Sequence, residues 1–347
     1  MAQINKSSEY FNTVLYSGND STNNITGAGF QPDWVWTKKR SASEEHVAYD
    51  SVRGVHKYIK PNLPQEESDV SSSLTSFDSD GFTLGTSFNV TGSNYVAWLW
   101  KASGTTASNT DGSITSTVSA NTTSGFSIVS YTGTGANATV GHGLGVAPKM
   151  IICKSRTQAQ NWAVYHSSLG ATKAIFLDGT GGEATSASYW NNTSPTSTVF
   201  TVGSSGDVNY NAGTQISYCF AEKKGFSKFG KYTGNGSATD GTFVYTGFKP
   251  AFVITKSSST GGTYYNWGIF DNTRAPYNQM DATLAANLSS SENDGANIGN
   301  QYIDFLSNGF KMRKGDVVNN SSGVTYIYMA FAENPLVGTN NIPATAR

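Results

Sequence analysis

The 347 residues carry a net charge of -1 and a pI near 6.4, which gives nucleic acid or an acidic membrane surface no basic field to bind. Only 14% of residues are charged, against roughly 25% in an average domain, and Gly takes 37 positions while Ser, Thr and Asn crowd the rest. Cys153 and Cys219 are too few for a disulfide framework, no apolar run reaches membrane-helix length, and the first residues lack a signal-peptide core, so a soluble chain without Sec export is expected.

In chain order, the first landmarks are Tyr16-Ser-Gly18, then Pro32-Asp-Trp-Val-Trp-Thr-Lys38 and His46-Val-Ala-Tyr-Asp50. Gly81-Phe82-Thr-Leu-Gly85 follows, and an aromatic strand from Tyr95 to Trp100 closes the set. The same five recur as Tyr131-Thr-Gly133, Pro148 to Lys154, Trp162 to His166, Val199 to Gly203 and Gln215 to Phe220. They recur again as Tyr232-Thr-Gly234, Pro250 to Lys256, Trp267 to Asp271, Gly309 to Arg313 and Tyr326 to Phe331. In every copy the lysine stands six residues after the proline. Five landmarks in one order, three times over, predict three repeats of about 100 residues, too long for a solenoid and suited to tandem small domains.

The expected organisation is repeat 1 over 1–101, a linker or extra hairpin over 102–123, repeat 2 over 124–223, repeat 3 over 224–337 and a tail over 338–347. Short strands rich in Val, Ile, Phe, Tyr, Trp and Thr, broken by Gly, Ser and Asn turns, predict an all-β chain. Its repeats are expected to be tandem antiparallel β-sandwiches, jelly-roll and lectin-like. The best helical spacing, Met280 to Leu288, is short and confined to the third repeat. Trp34-Val35-Trp36, Met150-Ile151-Ile152 and Phe252-Val253-Ile254 are continuous apolar runs, which need cover on both faces. One face belongs to the repeat's own sandwich. The other is expected to meet a neighbouring repeat, a covering loop or another chain.

No catalytic, cofactor or metal motif stands out. There is no HExxH, no GxSxG and no GK[ST] after Gly141-His-Gly-Leu-Gly145. Asp78-Ser-Asp80-Gly81 and Asn109-Thr-Asp111-Gly112 resemble the start of a calcium loop without its distal Glu, and read as turns. Asp20, Asp178 and Asp207 are the loop carboxylates that a glycosidase reading would nominate, yet no spacing ties any of them to a partner. Lys38, Lys154 and Lys256 read as strand-end lysines, their amines in water or near Asp50 and Asp271. Aromatics beside amides in polar loops suit stacking on sugar rings, which makes Tyr189, Trp190, Asn192, Tyr264, Tyr265 and Asn266 the candidate glycan contacts. The alternative is that these rings fold back onto the sandwich.

The motifs GFQPDWVWTKKR, HVAYDSVRG, SFDSDGFTLG and YVAWLWKAS, with the ending TYIYMAFAENP, resemble a family of repeat-containing bacteriophage virion proteins of tail-fibre-like, concanavalin/SPRY-like type. The likeness runs from about Tyr10 to Arg347. It implies a non-enzymatic structural component of a virion, assembled in the host cytoplasm and working as a tail fibre or other appendage in host attachment. Other virion proteins are the implied partners, a homo-oligomer (a trimer favoured) is expected, and host polysaccharide is a possible ligand. The alternatives are a glycan-binding recognition module and a capsid decoration protein. The chain lacks the coiled-coil or β-helical shaft of long fibres, which points to a short appendage or an adaptor-bound tip.

Overall fold

Each landmark falls in a strand or in the turn at one of its ends. The computed structural model describes residues 4, 6–295 and 301–335; the expected tail at 338–347 lies outside them. Strand accounts for 42% of the chain and helix for 3%, in several antiparallel sheets, so the protein is all-β.

One strand order occurs three times. An opening strand pairs with the closing strand, the closing strand with the lysine strand, and the lysine strand with a short fourth strand. The opening strands are Phe11–Ser17, Phe126–Thr132 and Ser227–Thr233. The closing strands are Asn94–Trp100, Thr214–Phe220 and Thr325–Pro335. The lysine strands are Trp34–Lys39, Met150–Ser155 and Phe248–Ser257, and the fourth strands are Val47–Asp50, Ala163–His166 and Gly268–Asp271. Pro250 sits inside its strand at a shift in register, the kind of irregularity that accommodates a residue without an N–H. We call the three assemblies units 1, 2 and 3. A smaller sheet backs each: Gly81–Leu84, Val199–Val202 and Gly309–Met312 pair with Asn23–Thr26, Ala138–Gly141 and Phe243–Tyr245.

The apolar runs divide by side-chain alternation. Val35, Ile151 and Val253 point into a core private to their unit. Trp34 and Trp36, Met150 and Ile152, and Phe252 and Ile254 point the other way into one shared core. The closing strands follow suit, sending Val96, Trp98 and Trp100, Ile216, Tyr218 and Phe220, and Ile327, Met329 and Phe331 to the same centre. The second face is therefore covered by the neighbouring units of the same chain.

Two expectations need correction or detail. Met280 to Leu288 forms no helix: Leu284–Ala285 is a strand at the edge of unit 3's larger sheet and Met280 bridges to Ile303 at the edge of its smaller one, so the apolar residues there are drawn to both sheets. Among the described residues the two α-helical turns are Ala187–Trp190 and Gly206–Asn209, both in unit 2 and each capped by a serine. Within 102–123, Ala107–Asn109 and Ser116–Asn121 pair with one another and extend unit 2's sheet beside its opening strand.

Candidate functional site

The densest polar chemistry lies where the units meet. Asp50 and Asp271 end equivalent strands, and one oxygen of each carboxylate accepts the backbone N–H groups of the following turn, including those of Arg53 and Arg274. The other oxygen takes the side chain of the same arginine, three residues on, with both partners fully buried. It also accepts a hydrogen bond from the next unit's closing strand: Tyr218 Oη at 2.7 Å for Asp50, Trp98 Nε1 at 2.9 Å for Asp271. Each arginine reaches on to a glutamate, Arg53 to Glu67 and Arg274 to Glu292. A second arginine from the neighbouring unit grips that glutamate through two nitrogens, Arg156 on Glu67 and Arg40 on Glu292. Two interfaces thus each carry the same kind of chain of charge-assisted bonds.

The third interface has the same frame without the charges. The backbone N–H groups of Glu67, Glu292 and Glu183 bond equivalently to the carbonyls of Arg156, Arg40 and Ser258. Register places Met329 where Trp98 and Tyr218 stand. His166 replaces the aspartate, Leu169 the first arginine and Ser258 the second. His166 accepts the N–H of Ser168 at Nδ1 and donates from Nε2 to Tyr328 O at 3.2 Å. Burial pushes its pKa down to about 4, so it is neutral. Glu183 pairs with Lys173 of its own unit instead.

The repeated lysines are not strand-end lysines in water, and the arginines have taken the aspartates expected as their partners. Lys38, Lys154 and Lys256 are buried, each amine held by a backbone carbonyl at 2.7–2.8 Å. Lys154 and Lys256 also reach Pro64 O and Thr180 O of the preceding unit. Desolvation lowers their pKa values, to about 8 for Lys38 and Lys154 and about 7 for Lys256. An unfolded lysine holds its proton to about pH 10.4. Between pH 7 and about 9 the unfolded lysines therefore bind more protons, and stability is expected to rise with pH. Nearer pH 10 the buried cysteines and tyrosines, whose pKa values burial raises, reverse the slope. Urea midpoints at pH 7 and pH 9 check the rise, with Lys256→Met flattening the slope; a wild-type midpoint that falls would contradict it.

The residue four before the aspartate or histidine spans the same boundaries. His46 Nε2 donates to Ala285 O, Trp162 Nε1 to Lys60 O and Trp267 Nε1 to Phe176 O, all within 3.0 Å. Their backbone N–H groups are received by Asn62, Asp178 and Asn287. Asp178 thus does an asparagine's work, and burial raises its pKa to about 6. Asp207 accepts Asn161 N, and Asp20 lies in a loop bonded to Asn89 O. Asp80 receives Gly27 N and Gly29 N, and Asp111 bonds with Asn109, as turn residues do.

The six candidate glycan contacts fall in different settings. Trp190 is 1% exposed in unit 2's core, edge-on to Tyr165, because the helical turn aims it inward. Tyr189 is half-buried against Phe176, and Asn266 is buried on Asn287. Trp190 and Asn266 are therefore closed to a ligand. Asn192 is exposed, Tyr265 is half-buried and Tyr264 is 56% exposed.

Two features escaped the sequence reading. Asn89, Asn209 and Asn320 are buried, each six residues before the first large residue of a closing strand, and their side chains tie down the loop after the opening strand. Their shared spacing was the available signal. The other is the pair Phe243 and Tyr245, 44% and 58% exposed on the outer sheet of unit 3 around an inward Val244. Among the described residues no group of three or more His, Cys, Asp or Glu side chains is placed to hold a metal ion, and no helix is long and apolar enough to cross a membrane.

Residues 6–335 match the family described as a domain of unknown function, DUF7483, and the chain belongs to that family. No curated protein and no solved structure matches it.

Proposed function

We propose that this chain is a structural component of a bacteriophage virion, a tail fibre or other surface appendage that takes part in host attachment and carries no enzymatic activity. In this reading each unit is one lectin-like β-sandwich, and the three stand as tandem repeats. The observation that carries it is the shared aromatic core, which joins three repeats into a single body whose smaller sheets and loops face outward. Such a body suits display. At the seams Asp50, Asp271 and His166 are bonded to Tyr218, Trp98 and the Tyr328 carbonyl of the next unit, where they position the units.

The sequence likeness to repeat-containing virion proteins supports the same reading, with other virion proteins as partners. Gold-conjugated antibodies against the purified protein, applied to density-purified particles, are expected to label the tail or its appendages. Uniform label over the head would favour the decoration alternative. Particles free of the protein by both labelling and mass spectrometry would overturn the proposal. The glycan-binding alternative is favoured by one observation, the exposed rings of unit 3.

A further inference from the structure

The three units serve as controls for one another. At the register positions of Phe243 and Tyr245, unit 1 has Asn24 and Thr26 and unit 2 has Thr139 and Gly141. The inward residue between them stays apolar in all three, as Ile25, Val140 and Val244. The fold therefore needs the inward residue and places no demand for aromatics on the outer pair. Unit 3 carries two large rings in water where its sisters carry small or polar groups.

Their setting shapes a platform. A Cβ added to Gly309, across the sheet from Tyr245, would lie 2.1 Å from Val244 O and 3.1 Å from Phe243 Cε2. Phe243 thus rests its edge against bare backbone. Tyr245 lies over Gly247, its ring 3.6–3.8 Å from where a Cβ would stand there. The two rings leave the same face of one strand, about 6.8 Å apart along it. Beside them Lys311, paired with Phe243 across the strands, forms an ion pair with Asp240, whose side chain is 84% exposed.

We propose that this face of unit 3 binds a polysaccharide chain, with sugar rings laid on Phe243 and Tyr245 and their hydroxyls bonded to Asp240 and Lys311. The inference rests on the attachment reading above. Balanced charge at the flank offers both an acceptor and a donor to hydroxyls, and no one-signed field for a polyanion. Two rings are also too little apolar surface for a stable protein interface, which needs roughly 1,000 Å² or more. A shallow site of this kind binds weakly alone and gains from many copies on one particle.

The test is affinity electrophoresis of the full chain through gels cast with purified bacterial capsular polysaccharides and lipopolysaccharide O-chains. The wild type is expected to be retarded by at least one of them. The double variant Phe243→Asn/Tyr245→Thr, which installs unit 1's residues, should lose about ten-fold or more of that retardation with an unchanged melting temperature. Tyr210→Ala, at an exposed ring of unit 2, should leave retardation intact. Retardation that survives in the double variant, or no retardation in any gel, overturns the site; so does loss of binding to another virion protein in place of glycan. Labelled particles without glycan binding would sink this site and leave the attachment reading standing. Glycan binding lost in the double variant, with unlabelled particles, would do the reverse.

Discussion

Alanine in place of Asp271 is expected to lower the stability of the whole chain by about 3–5 kcal/mol, and alanine in place of His166 to lower it by much less. The two positions are equivalent in the repeat but hold opposite kinds of residue. Asp271 compensates the fully buried side chain of Arg274, caps two backbone N–H groups of its turn and receives Trp98 from the next unit. Removing it leaves a buried guanidinium hydrogen-bonded only to Glu292 and the Ile269 carbonyl, and a buried charge robbed of its nearest carboxylate is costlier than a lost neutral bond. His166 is neutral and has Leu169 at the arginine's position, so its loss removes two ordinary hydrogen bonds and leaves no charge behind. Asp50→Ala should behave like Asp271→Ala, since Arg53 and Tyr218 repeat the arrangement. Denaturant unfolding of the three variants decides the matter. Equal losses at Asp271 and His166 would show that the charged chain contributes nothing beyond its shape.

Trp34→Ala should cost about 3–5 kcal/mol and should do so in one transition. Trp34 belongs to unit 1, yet its ring stacks on Tyr218 of unit 2 at 4.3 Å and lies 5.9 Å from Phe126 of the same unit. Trp100 touches it at 4.4 Å from within unit 1 and in turn meets Phe252 and Phe331 of unit 3. A cavity at Trp34 therefore loosens contacts in all three units together. Calorimetry is expected to show a single peak in wild type and variant alike, shifted down in the variant. Two or three resolved peaks, with only the first displaced, would mean that the units melt independently and that the central core is a contact surface between separate folds. An exposed ring away from the core gives the contrast: Tyr264→Ala should stay within about 0.5 kcal/mol of wild type.

The repeat and its doubly covered strands were legible because period-two alternation is local: a run such as Trp34-Val35-Trp36 demands two apolar environments wherever it lies. What covers the second face was not legible. Nothing in a linear pattern says whether a neighbour in the same chain or another molecule supplies it. The Asp–Arg pairs were half visible, since the spacing of Asp50 and Arg53 recurs in Asp271 and Arg274 and becomes His166 and Leu169. Their third members, Tyr218, Trp98 and Met329, lie more than 150 residues from them in the chain, and only the closed arrangement of units brings them in. The loop aromatics misled because polar neighbours do not fix orientation. Trp190 sits among amides and still turns inward on one helical turn. Phe243 and Tyr245 were missed because a three-residue strand carries too little pattern to stand out, although alignment with Asn24 and Thr26 marks both as departures.

The peptide links between units change what the central core means for the chain's later history. Three separate copies of one repeat would meet as a symmetric ring, falling apart on dilution, and every substitution would appear at all three seams at once. Joined end to end, the units meet at an effective concentration set by their short connections, so the assembly persists at any dilution. Each seam can then drift alone. Tyr218 to Asp50 and Trp98 to Asp271 have settled on different donors, while Met329 and His166 have dropped donor and carboxylate together. The same freedom lets one outer sheet take on a task without imposing it on the other two.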